Sequence, residues 1–296
     1  MLAKNAIVFK LAGAIPPDLN ERLKSRAFNP PGSFDAKSTG FIVASPDYGT
    51  FTRKAGVFTG FVLRTDVKVI PSSALKQATA EAAQAFESAN GYKPGRKAMR
   101  ELKDGALERL REKAMCRTST VRGWFDHATQ WLVVDTPSQA RAEDVLEQLM
   151  AADALPPVVK MWRTNLGRSG QMGVWVENDT PPAGMTIDDR AKARDHNGGV
   201  IAVSDRPATS DEMVSVIAEG CTVMELGMTL EGVASFVLTE SGAIKRMTLA
   251  VGEESPQGEC LTREEEENAD LILSGTAVSQ ILDALTLALG GIEGGE

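Results

Sequence analysis

The side chains best suited to chemistry in this 296-residue chain are a run of cations and a separate group of carboxylates. Between Lys93 and Arg122 stand ten basic residues: Lys93, Arg96, Lys97, Arg100, Lys103, Arg109, Arg111, Lys113, Arg117 and Arg122. Only Glu101, Asp104, Glu108 and Glu112 interrupt them. Cations gathered within a Debye length, about 8–10 Å at physiological salt, hold a polyanion even on a protein whose net charge is −8. The same run also suits a salt-bridged, solvated helix face, which is the commoner outcome by charge count alone. The carboxylates are Asp188, Asp189 and Asp195, with His196 beside them. Such a set could hold Mg²⁺ or Mn²⁺ for phosphodiester hydrolysis. Against that chemistry, Thr186-Ile-Asp-Asp189 reads as a capping box, which makes both aspartates ordinary residues of a helix start. The other histidine, His127, reads as a turn or strand residue. GxxxxGK[ST], GxGxxG and GxSxG are absent, as are zinc-finger and RNP motifs. No catalytic residue, metal or cofactor is therefore expected.

The remaining composition narrows the class. At 43% hydrophobic residues the chain can build real cores and is too apolar for intrinsic disorder. No apolar run is expected to reach the roughly 18–20 residues of a membrane span, and residues 1–13 read as a strand rather than a signal peptide. Cys116, Cys221 and Cys260 form no CxxC pair and read as free thiols of a cytoplasmic protein. Charge is uneven: residues 1–150 carry 22 basic and 16 acidic side chains, and residues 151–296 carry 10 and 24.

Periodicity and breakers give an α+β fold of two sheet-and-helix lobes with antiparallel β meanders. The N-terminal lobe covers 1–155 and includes a basic helical region, 72–122. An irregular connection over 156–200 holds one short helix near 186–194, and a C-terminal lobe covers 201–296. Strands are expected at 6–11, 40–44, 55–63 and 66–70, then helices at 71–89 and 96–115. A hairpin at 124–135 precedes a helix at 138–152. In the C-terminal lobe a strand at 200–203 and a helix from Thr209-Ser-Asp-Glu212 to Gly220 precede strands at 221–228, 232–239 and 243–251. A terminal helix covers 276–289, and Glu264–Glu267 read as a solvated first turn after Thr262. In the helix at 96–115, Met99, Leu102, Ala106 and Leu110 share one stripe. Arg96, Arg100 and Lys103 share the neighbouring face, joined by Arg111, an arrangement that meets phosphate by charge and reach without a base code. Aromatics at 5%, with two tyrosines, argue against a base-stacking single-strand platform.

The order of these segments resembles the RdgC family of recombination-associated proteins nearly end to end. The likeness runs through Lys4-Asn5 with Ile7-Val8-Phe9, Phe28-Asn-Pro-Pro-Gly32-Ser33, and Ile70-Pro71-Ser72 with Leu75-Lys76-Gln77-Ala78. It continues through Trp124-Phe-Asp126, Leu132-Val-Val-Asp135, Leu155-Pro-Pro-Val158, Gly198-Gly-Val-Ile201, Thr209-Ser-Asp-Glu212, Gly242-Ala-Ile-Lys245-Arg246 and Leu289-Gly-Gly291. Each piece is weak, but their order and spacing are specific.

The resemblance implies a non-enzymatic protein that binds single- and double-stranded DNA without sequence preference. It implies a ring-shaped homodimer encircling DNA, competition with a RecA-type recombinase, and a cytoplasmic, nucleoid-associated location with no membrane partner. By position it implies that Lys76, Arg117, Lys245 and Arg246 face DNA; Arg96, Lys97, Arg100 and Lys103 rest on the helix pattern. Thr118 stands where the family has an aromatic closing a dimer contact, and Met115 where another sits. After Val200-Ile201 the family's basic cluster is reduced to Arg206, which fits a divergent or phage-borne member. The alternatives are a metal-dependent nuclease using Asp188, Asp189 and Asp195, and a module that contacts a recombinase.

Overall fold

The computed structural model describes residues 2–204, 206–250 and 262–293; Asp205, Val251 and Cys260 lie outside the described residues. The chain is α+β, as expected, and divides into two compact units. The larger comprises Met1–Leu23, Val43–Val62 and Val121–Glu296, the smaller Lys24–Ile42 and Leu63–Thr120. This division differs from a split between lobes at 155–200.

The larger unit holds two sheets. The first uses β1 (Ile7–Ala12), β3 (Thr52–Ala55), β4 (Phe58–Lys68), β5 (Cys116–Asp126), β6 (Trp131–Asp135) and β7 (Val158–Met161). Its order is β4-β5-β6-β1-β7, with β3 on β4. The β5–β6 hairpin is set by Asp126, 2% exposed, which accepts the Ala128 and Thr129 N–H groups at 2.9 and 3.1 Å. A carboxylate that satisfies the backbone two and three residues on fixes a tight turn without a glycine. Helix α4 (Gln139–Ala151) follows, burying Ala142, Val145 and Leu149.

The second sheet has the order β12-β11-β10-β8-β9. The expected meander is β10 (Thr222–Leu230), β11 (Ala234–Thr239) and β12 (Ile244–Leu249); α6 (Asp211–Ala218) precedes it. The expected strand at 200–203 is present as β9 (Val200–Ser204), whereas β8 (Met185–Arg194) corrects the sequence reading. Residues 156–200 also carry β7 and α5 (Arg168–Asn178), so they are not an irregular connection. Thr186–Arg194 is strand rather than helix because β8 is paired on both sides and buries Met185, Ala191 and Ala193. The two-residue period is hidden in the sequence by a bulge: Leu226 pairs Ala191 and Met228 pairs Ile187, leaving Asp188, Asp189 and Arg190 opposite Gly227. Across the sheet, Glu225 is clamped between Lys192 at 2.9 Å and Lys245 at 3.2 Å. Burial pushes its carboxyl up, but the hydrogen bonds and charges of the two lysines outweigh that and hold it below the ordinary carboxylate range.

Helix α7 (Arg263–Ala288) joins the sheets. It begins well before the expected start at 276, in the first turn expected after Thr262, and is closed by a capping box: Thr262 Oγ1 accepts the Glu265 N–H, and Glu265 accepts the Thr262 N–H. By length and composition α7 could cross a membrane, with a mean hydropathy of 1.5 over 18 residues, which corrects the expectation that no such stretch exists. It lies instead in the protein core, where Val278, Ile281, Leu282 and Leu285 are fully buried with Val8, Phe58, Trp124, Trp162 and Phe236. Gly275 admits the Phe58 ring, since a Cβ there would stand 2.7 Å from it. Of the run expected to be solvated, Glu265 and Glu266 are exposed, but Glu264 and Glu267 are only partly so. The latter two turn onto the buried Arg53, which pairs Glu267 closely and Glu264 at 3.6 Å. Arg53 also donates to the Ala44 carbonyl and to Asn268 Oδ1.

The smaller unit holds β2 (Lys37–Ile42), the outer residues of β4 and β5, and a helical hairpin of α2 (Ser72–Asn90) and α3 (Arg96–Lys113). Gly91, at φ +76°, ends α2 in the left-handed region and donates its N–H to Glu87 O at 2.8 Å. Ala106 of α3 is buried, and Met99, Leu102 and Leu110 are half-buried beside it, matching the expected stripe.

Two outcomes are expected. Arg53→Ala should cost about 3–5 kcal/mol in urea unfolding, because it strands two partly buried carboxylates. Glu225 has a lowered pKa in the fold, so its contribution is present above the ordinary glutamate value of about 4.3 and is lost as pH falls through the lowered one. Glu225→Gln should therefore be less stable than the parent at neutral pH, with the difference narrowing below roughly pH 4.

Candidate nucleic-acid interface

The cations separate by unit. The smaller unit carries 15 basic and 8 acidic residues, a net of +7; the larger carries 17 and 32, a net of −15. The gradient between chain halves is thus the sequence trace of a contrast between folded units. Six of the nine expected contact residues lie in the positive unit: Lys76 on α2, Arg96, Lys97, Arg100 and Lys103 on α3, and Arg117 on β5. All six are exposed, and none makes an ion pair among the described residues. At about 100° per residue, Arg96, Arg100 and Lys103 fall within roughly a 60° arc. Arg96 and Lys97 also occupy the first turn of α3, where a helix favours acids, and no acid stands there. That placement costs local stability. Other cations of the run are engaged: Arg109 donates to Gly105 O, Arg111 to Phe34 O, and Arg122 pairs Asp135 at 3.0 Å.

The remaining three expected contacts sit elsewhere, on the acidic unit. Arg206 faces Glu212 at 3.4 Å, and Lys245 belongs to the Glu225 clamp. Arg246 adopts φ +53°, and its N–H meets Asn5 Oδ1 at 3.4 Å. Its side chain borders a shallow depression of about 380 Å³ with Asp188, Asp189 and Arg190. Arg206 and Lys245 thus form ion pairs, whereas Arg96, Lys97, Arg100 and Lys103 of α3 form none among the described residues. Among the residues expected at a dimer contact, Met115 is 85% exposed. Thr118 Oγ1 accepts from Arg64 Nη2 at 3.4 Å. Arg64 also grips Asp66 at 2.7 Å and lies over the Phe28 ring, and its hydrogen bonds hold the Asp66 carboxyl below the usual range.

The nuclease set is not assembled. Asp188 and Asp189 flank the β8 bulge, and Asp188 accepts from Thr229 Oγ1 at 2.9 Å. Asp195 instead holds the β8–β9 turn by accepting the Asn197 and Gly199 N–H groups, both at 2.8 Å. His196 packs beside Gly220. The capping-box reading of Asp188 and Asp189 falls with the helix it assumed. Among the described residues, no group of three or more His, Cys, Asp or Glu side chains could hold a metal ion. A cavity of about 260 Å³ elsewhere in the larger unit is lined by Phe61, Trp124, Leu271 and the Arg53–Glu267 and Arg122–Asp135 pairs. Its charges answer one another, and it contains none of the expected residues.

Sequence reasoning overlooked two features. Arg53 gives no local signal, because its partners lie more than 200 positions away. Tyr92, 61% exposed in the α2–α3 turn, was legible as an aromatic inside an acid-free basic stretch.

Residues 1–292 match a family model described as "Putative exonuclease, RdgC". The chain is 32% identical to the recombination-associated protein RdgC of Cupriavidus pinatubonensis over 98% of this chain and 99% of the relative. It is 31% identical to the protein of that name from Herminiimonas arsenicoxydans, over 98% of each. The Janthinobacterium sp. protein of that name is 32% identical over 91% of this chain and 90% of its own length. Together with an α+β fold whose expected meander and terminal helix are present, a match over almost the full length places the chain in the RdgC family of recombination-associated proteins.

Proposed function

We propose that this protein binds single- and double-stranded DNA without sequence preference through the basic surface of its smaller unit, and that it acts without catalysis, metal or cofactor. The observation that carries the reading is electrostatic: a net +7 unit on a −8 chain, with four exposed, unpaired cations on one helix. Neutralising phosphates releases counterions and supplies affinity without base readout. The acidic larger unit repels other polyanions and limits non-specific aggregation. As a homodimer closing around DNA through contacts near Met115 and Thr118, the protein would occupy the strand that a RecA-type recombinase requires, in the nucleoid. The relatives, recombination-associated proteins by name, support a role in recombination.

The family description favours a second reading, exonucleolytic hydrolysis. Its best carboxylate candidates, Asp188 and Asp189, stand apart from Asp195, which is occupied with its own turn.

Gel-shift binding across a salt series tests the first reading, with light scattering to check for twice the 31.6 kDa chain mass. The parent should show affinity falling steeply with salt. Reversing Arg96, Arg100 and Lys103 to Glu should lower affinity at least about a hundredfold and flatten the log–log salt slope by roughly 3, about one per phosphate contact. Arg206→Ala should change affinity less than about twofold, since Glu212 already faces that side chain. Unchanged affinity in the triple variant would remove α3 from the interface. Linear duplex and single strands incubated with Mg²⁺ or Mn²⁺ should stay full length; shortening that Asp188→Asn abolishes would establish the exonuclease instead.

A further inference from the structure

Tyr92 stands at the turn between α2 and α3, one of two tyrosines in a chain with 5% aromatic residues. It is 61% exposed. Among the described residues its aromatic partner is Phe86, in the last turns of α2, which meets it at 5.7 Å between centroids with the rings at 85°. In such an edge-to-face pair, one ring offers its edge and the other its face. Whichever role Tyr92 takes, at least one of its faces remains uncovered by Phe86. The contact therefore orients the ring without using it up. The left-handed Gly91 before it and Pro94-Gly95 after it fix the turn that presents it.

The surrounding charge is equally one-sided. From Ser88 to Arg100 the chain carries Lys93, Arg96, Lys97 and Arg100 and no acid. Among the described residues none of these cations has an ion-pair partner, and α3 begins with two of them. An oriented, exposed aromatic ring among uncompensated cations has the chemistry of a nucleotide: a phosphate for the cations and a base face for the ring.

We propose that Tyr92 is a base-stacking residue, and that the α2–α3 turn takes an unpaired base of single-stranded DNA while Lys93, Arg96 and Lys97 hold its flanking phosphates. The assignment rests on the DNA-binding reading and adds a distinction it lacks. Bases of an intact duplex are already stacked on one another, so the cations serve both forms of DNA whereas the ring serves the unpaired one. One such platform carries no sequence code, because every base has a π-face.

The test uses the full-length protein, with fluorescence polarisation on a single strand and on a duplex of equal length at one salt concentration. Tyr92→Ala should weaken single-strand binding about tenfold and duplex binding less than about twofold. Tyr92→Phe and Tyr92→Trp should both retain single-strand affinity, since each keeps a ring. A 2-aminopurine placed in the single strand should be quenched on binding the parent and not on binding Tyr92→Ala. Equal loss on both DNA forms, loss in Tyr92→Phe matching that in Tyr92→Ala, or unaltered quenching would overturn the assignment while leaving phosphate binding intact. A parent protein that binds neither form at low salt would overturn the DNA-binding reading itself.

Discussion

The buried Arg53 guanidinium ties the first turn of α7 to the first sheet, and the core of the larger unit is arranged around that tie. A charge 7% exposed is tolerated only when its hydrogen-bonding capacity is met, and here the Ala44 carbonyl, Asn268, Glu264 and Glu267 meet it. The depth of α7 follows. Ser274 accepts the Ala3 N–H, Ser279 donates to the buried Asp126 at 2.8 Å, and Val278, Ile281 and Leu285 enter the common core. The second sheet is joined to the first by the same economy, since Ala6 and Ile244 exchange backbone hydrogen bonds at 2.8 and 2.9 Å.

Satisfaction of this kind occupies many of the cations of the larger unit. Its basic groups sit among 32 acids, and Arg53, Arg122, Lys192, Arg206 and Lys245 each face a carboxylate. Lys245, expected to face DNA, is half of the clamp that holds Glu225 ionised. The smaller unit runs the other way. Its hairpin buries a narrow stripe, so the cations on the adjoining face of α3 meet water and one another. Such a surface is locally frustrated, and proteins keep local conflicts of this sort where a partner resolves them.

Much of the fold was legible in the residues. Breakers and caps mark their own sites: Gly91 after α2, Gly220 after α6, and Thr262 with Glu265 before α7. These are interactions within four residues, so composition and spacing report them. The two-residue period of β10 to β12 and the stripe of α3 were readable for the same reason. β8 was not, because its alternation is broken at Asp188, Asp189 and Arg190 by a bulge that exists only against Gly227 of β10. The same bulge undid both readings of those aspartates, as helix caps and as a metal set.

By itself the sequence determined the family, the α+β class, and the concentration of charge in the stretch that forms α3, since these depend on residue order and on periods of two and 3.6. Only the tertiary structure decided which cations remain free. Arg53 and Glu267, or Lys245 and Glu225, are remote or indirect neighbours in sequence, and a charge counts toward binding only if folding brings it no partner. Folding supplied carboxylate partners to Arg53, Arg122, Lys192, Arg206 and Lys245 of the larger unit, and no ion pair to Arg96, Lys97, Arg100 and Lys103 among the described residues.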